Sequence, residues 1–264
     1  MIHSKTVATL KRLLPAPFFD FLAQVRRLAK GPHPDAALFV AQVQGKSGVE
    51  IGGPSSLFRL ELPVYAAVKN LDGVNFSNQT LWEGALRTGQ TFSFREGGMG
   101  RQYIADATDL SEIPAGHYDF VLSSNCLEHV ANPLRALAEW RRVLKPQGTL
   151  VLAVPRKEGN FDHRRSVTAF PHILDDFKGN VGEDDLTHLD EILFLHDLSL
   201  DPEAGGFDAF RARGLDNLHN RALHHHVFDL DLARETVAFS GFEVMRGVST
   251  AKDHVVLARK SATA

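Results

Sequence analysis

A chain of 264 residues with 44% apolar and 23% charged side chains has the make-up of a folded protein with a large core, which excludes the disordered and collagen-like classes. A formal net charge of -3 argues against a general electrostatic hold on nucleic acid, and no nucleic-acid partner is expected. The lone Cys126 excludes an internal disulfide framework; with no membrane-length apolar run and no signal-peptide pattern, the expected location is cytoplasmic.

In chain order, residues 1–44 are expected to form an N-terminal helical cap. The stretch TLKRLLPAPFFDFLAQVRRLAK mixes basic and aromatic residues at helical spacing, interrupted by Pro15 and Pro17. Packing on the domain is the favoured reading, and peripheral membrane contact is the alternative. VEIGGPSS (49–56) follows as a buried strand that stops at Gly52-Gly53-Pro54, and Pro63 leaves room for only a short or irregular helix after it. AAVKNLD is expected to end a second strand at Asp72. Asp72 lies about twenty residues beyond Gly52, the interval at which a carboxylate reaches a ribose diol held over a glycine turn. A turn aspartate before Gly73 is the alternative. RQYIADATDL reads as a third strand ending at Asp106.

The clearest unit spans 118–155. Tyr118–Leu122 reads as a buried strand, Pro133–Leu144 as an amphipathic helix, Lys145–Gly148 as a turn and Thr149–Val154 as the next strand, a right-handed βαβ crossover. After about seventy intervening residues, a helix over 231–239 stopped by Gly241 and two final strands, 242–246 and 254–259, complete the pattern. The alternation of strand-like and helix-like stretches points to an α/β fold with a parallel sheet covered by helices.

This order of motifs resembles the class I S-adenosylmethionine-dependent methyltransferases, especially the group sharing a type 11 methyltransferase domain. The resemblance rests on VEIGGPSS, Asp72, ADATDL, and YDFVLSSNCLEHVANP followed by LKPQGTLVLAVP. It implies a Rossmann-like, doubly wound sheet, mostly parallel with an antiparallel last strand, a methyltransferase domain over residues 45–264 with 157–225 as an inserted substrate lid, and S-adenosyl-L-methionine as cofactor. Glu50, Gly52, Gly53 and Pro54 would face its methionine part, Asp72 its ribose, and Asp106, Ala107 and Thr108 its adenine. Ser124 and Asn125 would wall the sulfonium centre, while Glu50 has the alternative of holding the turn. The chain departs from the usual G-x-G-x-G spacing, with Pro54 and Ser56 after the paired glycines.

The resemblance implies methyl transfer to a small polar molecule, with O-methylation of a carbohydrate or other metabolite as first choice and N-methylation open. A base near neutral pKa suits deprotonation of a hydroxyl acceptor. His163, just beyond the fifth strand, is the leading candidate and His129 in LEHV the second. Arg164-Arg165 suit an anionic group or solvent, and Trp82 suits stacking on the acceptor, whereas Trp140 suits packing. His188, Glu191, His196, His224 and His226 have metal-ligand chemistry, but no signature such as HExxH is present and no metal is assigned. A binding module that keeps the fold without catalysis, and a dinucleotide-dependent oxidoreductase, are the alternatives. Oligomeric state is not legible.

Overall fold

The computed structural model describes residues 31–262; the basic-aromatic stretch read as most of the N-terminal cap lies outside the described residues. Of that cap, helix α1 (Ala36–Val43) is described, and its Ala36, Phe39 and Val43 are buried.

Eight strands form one sheet: β1 (Ser47–Ile51), β2 (Asn70–Asn75), β5 (Gly89–Arg95), β6 (Gly98–Ile104), β7 (Tyr118–Ser124), β8 (Leu144–Pro155), β9 (Phe242–Ser249) and β10 (Asp253–Lys260). Their spatial order is β5-β6-β2-β1-β7-β8-β10-β9. Strands β6, β2, β1, β7 and β8 run parallel, and β10 is antiparallel to both β8 and β9. The order reverses direction at β1, so the chain winds outward both ways and leaves a crevice at the carboxyl ends of β1 and β7. The expected doubly wound sheet with an antiparallel last strand is the observed one.

Alternation along the strands explains the layers. Val49, Ile51 and Val121 enter one core with Leu134, Trp140 and Val237, whereas Phe120, Leu122 and Val151 enter the opposite core with Phe39 and Val43 of α1. The first face is covered by α2 (Pro133–Val143), which starts with Pro133 at its first turn and Asn132 Oδ1 accepting from Arg135 N at 3.1 Å. On the other face, the segment after the glycine turn makes only a wide helical turn, Leu57–Glu61, and a 3₁₀ turn, Val64–Ala66.

Two expectations need correction. Lys145–Gly148, read as a turn, lies within strand β8, which starts at Leu144 directly after α2. The second strand continues past Asp72 to Asn75, because Asp72 pairs with Val49 and Val74 with Ile51 in the parallel ladder to β1. Between β2 and β6 the chain forms the hairpin β3–β4 (Gln79–Thr80, Gly84–Ala85) and the antiparallel edge strand β5, whose alternate Phe92 and Phe94 are buried.

Residues 157–225 carry helices α3 (Phe170–Gly179), α4 (Leu189–Leu195), α5 (Phe207–Leu215) and α6 (Asn217–Asn220). Leu189 and Ile192 of α4 and Phe210 of α5 form a small core with Ala204 and Leu223, whereas Ile173 of α3 packs in the main core. The segment rejoins the main body where Thr168 N donates to Val227 O at 2.9 Å. The buried Arg165 fixes this return by donating to His224 O at 2.8 Å and to Asp162 Oδ1 at 3.2 Å. It is therefore a structural residue rather than an anion ligand. Helix α7 (Leu230–Phe239) then leads into β9.

Candidate active site

Four parallel strands deliver one cavity at their carboxyl ends. Ile51 and Gly52 come from β1, Val74 and Asn75 from β2, Ala105–Ala107 from the end of β6, and Asn125, Cys126, His129 and Val130 from beyond β7. Register explains the convergence: Gly52 N donates to Val74 O at 2.9 Å and Ala105 N to Asn75 O at 2.9 Å, so the three strand ends lie level. Gly52 has φ +78°, and a Cβ there would lie 2.8 Å from Cys126 Cβ, so the turn is closed by its contact with the β7 loop.

Of the expected cofactor residues, Gly52, Asp106, Ala107 and Asn125 line this cavity, and the candidate base His129 joins them. The others stand elsewhere. Glu50 is fully buried, and Tyr65 Oη lies 2.8 and 2.6 Å from its two carboxylate oxygens while accepting from Ser55 N at 2.7 Å. Glu50 thus holds the turn through Tyr65, and burial pushes its carboxyl up to about 8 despite that hydrogen bond. Gly53 packs on it: a Cβ there would lie 2.1 Å from Glu50 Cδ. Neither Gly53 nor Pro54 lines the cavity, nor do Thr108 and Ser124.

Asp72 is the principal correction. Its carboxylate accepts from Tyr118 Oη at 2.7 Å, Arg101 N at 2.8 Å and Asn70 Nδ2 at 3.1 Å, below the strand end and away from the cavity. The position that reaches the cavity from β2 is Asn75, whose buried amide lies against the Glu83 carboxyl. Beside it, burial raises Glu83 to about 7.

At the far end Asp106 accepts through Oδ1 from Thr108 N and Thr108 Oγ1, both at 2.8 Å, and through Oδ2 from Arg221 at 2.9 Å. Arg221 also meets Glu183 at 2.9 Å, so the inserted segment closes this wall. Trp140 is buried, its Nε1 donating to Ala107 O at 3.0 Å, as expected of a packing residue.

A second, open and more polar pocket shares Trp82, Asn125 and His129 with the first and continues over Glu128, Asn160 and His224. Trp82 is 48% exposed, and its ring centroid lies 5.7 Å from that of His129. His129 Nδ1 lies 3.1 Å from Leu223 O; a carbonyl only accepts, so Nδ1 carries the proton and Nε2 keeps its lone pair. Burial, and then the neighbouring His224, hold this imidazole well below its usual range and neutral. His224 Nδ1 lies 2.5 Å from Asp162 Oδ2. Burial alone would lower the His224 imidazole, but the Asp162 carboxylate outweighs it and raises it. Glu128 is pushed up to about 7 by burial.

His163 lines neither pocket: its Nε2 lies 3.0 Å from Asp197 Oδ2 on the outer side of the inserted segment, which removes it as the base. The remaining histidines of the segment also separate. His196 faces Asp201 at 3.2 Å, and His188 meets His172 at 3.0 Å. His226 turns toward Asp176 and Ala131 rather than sharing a side with His224.

Sequence reading missed Asn75, Cys126, Glu128 and Arg221. Asn75 and Cys126 had a usable signal, since both stand at the carboxyl ends of parallel strands. Arg221 and the joining of Glu128 to His224 had none, because they depend on how the inserted segment folds back. The dinucleotide alternative lacks its main requirement, as the glycine turn leads into the five-residue turn Leu57–Glu61 instead of a helix N-terminus long enough to seat a pyrophosphate.

Residues 49–152 match a protein family described as a methyltransferase domain. No curated protein matches the chain. Among solved structures, a putative methyltransferase from Bacillus halodurans is 12% identical with a TM-score of 0.49, covering 86% of this chain and 98% of that one. An S-adenosylmethionine-dependent methyltransferase from Mesorhizobium loti is 16% identical at TM-score 0.49, with 86% and 96% covered. A 1,6-didemethyltoxoflavin-N1-methyltransferase from Burkholderia thailandensis, solved with 1,6-didemethyltoxoflavin and S-adenosylhomocysteine, is 14% identical at TM-score 0.49, with 86% and 77% covered.

Proposed function

We propose that this chain, a class I S-adenosylmethionine-dependent methyltransferase by its domain match over 49–152 and its sheet order, methylates an oxygen of a small hydroxyl-rich acceptor. One observation carries the reading: the strand-end cavity and the open polar pocket meet at a shared wall of Trp82, Asn125 and His129. A donor in the first and an acceptor in the second would face each other there.

The chain's own residues fit the cofactor. Asn75 offers a buried amide where a ribose hydroxyl would lie, in place of the carboxylate expected at 72. Asp106 and Ala107 take the adenine end, and Gly52, Asn125 and Cys126 floor the methionine end. Bound there, S-adenosylmethionine would supply a sulfonium methyl group to the acceptor oxygen, with S-adenosylhomocysteine, a methyl ether and one proton as the products.

Residues 157–225 act as the substrate lid, with Arg221 closing the adenine end. Trp82 gives a flat apolar platform of the kind that stacks on a sugar ring, and Asn160, Arg156 and Asp253 surround it with polar groups. The Glu128–His129–His224 group engages the acceptor hydroxyl, and the released proton leaves through the open pocket.

The test is transfer of labelled methyl from S-adenosylmethionine to a panel of sugars and polyols, followed by S-adenosylhomocysteine release. His129→Ala is expected to abolish transfer while retaining S-adenosylhomocysteine binding, and His163→Ala to retain both. Transfer surviving in His129→Ala would overturn the assignment.

A further inference from the structure

We infer that Glu128, His129 and His224 hold one divalent first-row transition-metal ion whose open positions face the acceptor pocket. The inference deepens the proposed function, since it says how an acceptor hydroxyl is bound and made acidic.

Three observations carry it. Ligand-capable atoms of the three residues lie within 4.8 Å of one another, and Glu128 Oε1 is 3.9 Å from His129 Nε2. Ligands about 2.1 Å from one ion stand roughly 3 to 3.5 Å apart, so closing on it takes shifts of about 1 Å. Next, Glu128 is 1% exposed and lines the polar pocket, yet neither carboxylate oxygen has a hydrogen-bond partner among the described residues. A buried carboxylate left without donors is costly unless a proton or a cation completes it. Finally, both histidines are already oriented as ligands. His129 Nδ1 is held by Leu223 O and His224 Nδ1 by Asp162 Oδ2, which leaves Nε2 of each as the free donor. A carboxylate behind a ligating imidazole fixes its tautomer and raises its basicity.

Two imidazoles and one carboxylate form a donor set of intermediate softness, suited to zinc, iron(II), cobalt(II) or manganese(II) and less to calcium. Three protein ligands leave positions open on the side of Trp82 and Asn160. A cation there lowers the pKa of a hydroxyl that it contacts, which removes the need for a free base. The other compact group of this kind, His172, Asp176 and His226, is less prepared, because the ring nitrogens nearest Asp176 already have partners, His172 Nε2 in His188 Nε2 at 3.0 Å and His226 Nε2 in Ala131 O at 3.3 Å.

The test uses the full chain, stripped with a chelator and titrated with Co2+ alone, read by calorimetry and visible absorption. One site is expected, weakened roughly 100-fold or more in Glu128→Gln and His224→Ala and unchanged in His172→Ala. Asp162→Asn, which alters only the support of His224, should weaken binding by roughly 10- to 100-fold. Should a variant fail to fold, anomalous scattering from a Co2+-soaked wild-type crystal locates the ion. An ion at His172–Asp176–His226, or Co2+ affinity unaffected by Glu128→Gln, overturns the inference. S-adenosylhomocysteine binding measured on the same samples separates the two claims: Co2+ binding without it sinks the methyl-transfer reading and leaves the metal site standing.

Discussion

Arg221 reaches Asp106 at 2.9 Å across 115 positions of sequence and ties the end of the inserted segment to the loop after β6. Its other guanidinium nitrogen meets Glu183 at 2.9 Å, so one side chain joins two separate carboxylates at the edge of the strand-end cavity.

Arg221→Ala should therefore open that edge. Losing a half-buried, charge-assisted pair costs about 1.4 kcal/mol, or tenfold. Dissociation of S-adenosylhomocysteine, followed by stopped-flow fluorescence of Trp82 and Trp140, should be about ten times faster. An unchanged rate would show that the clamp does not govern access.

Asn75 and Asp72 should separate binding from folding. Asn75→Ala is expected to weaken S-adenosylhomocysteine by about 1 kcal/mol, one neutral hydrogen bond, with little change in stability. Asp72→Ala removes the acceptor for Tyr118 Oη and Arg101 N, so it should cost about 1 to 3 kcal/mol in denaturant melts and leave the affinity of the folded protein unchanged. The reverse pattern would restore the ribose role to residue 72.

Glu50 predicts a pH dependence of stability. Its folded value is raised to about 8 from an ordinary 4.5, so the folded state holds a proton that the unfolded state has released between those values. The slope of unfolding free energy with pH is then negative: the contribution is fully present below about pH 4.5, declines above it, and is lost as pH passes 8. Glu50→Gln should flatten this decline while keeping a hydrogen bond to Tyr65. Parallel curves for the two proteins between pH 5 and 8 would contradict it.

Cys126, the single cysteine, is pushed up to about 12 by burial, with the Glu128 carboxylate adding to it. Only the thiolate attacks, so iodoacetamide at pH 8 should modify the native protein about a thousandfold more slowly than a free thiol of ordinary pKa. Denatured protein should react at the ordinary rate. Rapid labelling of the native protein would mean that the cavity floor is more open than its packing against Gly52 implies.

How much of this was legible depended on range. The β7–α2–β8 crossover could be read because each signal is local: an unbroken apolar strand, Asn132 and Pro133 opening the helix, and Gly148 before the next apolar run. The end of β2 could not, because Gly73 imitates a turn, and only pairing with β1 carries the strand on to Asn75. The sequence interval from Gly52 to Asp72 suggested a ribose contact, but pleat and register send that carboxylate to Tyr118 instead. His129 was readable from its place just beyond a parallel strand, whereas its partner His224 depends on Asp162 across 62 positions and on the buried Arg165. His163 failed for the same reason: closeness in sequence to β8 placed it near the site, and Asp197 holds it outside.

The most direct measurement is a crystal structure with S-adenosylhomocysteine bound. The account predicts adenine against Ala105–Ala107, a ribose hydroxyl on Asn75 Nδ2, and the sulfur facing the opening between Trp82 and His129. A ligand seated outside the ends of β1, β2, β6 and β7, or a sulfur turned away from His129, would contradict it.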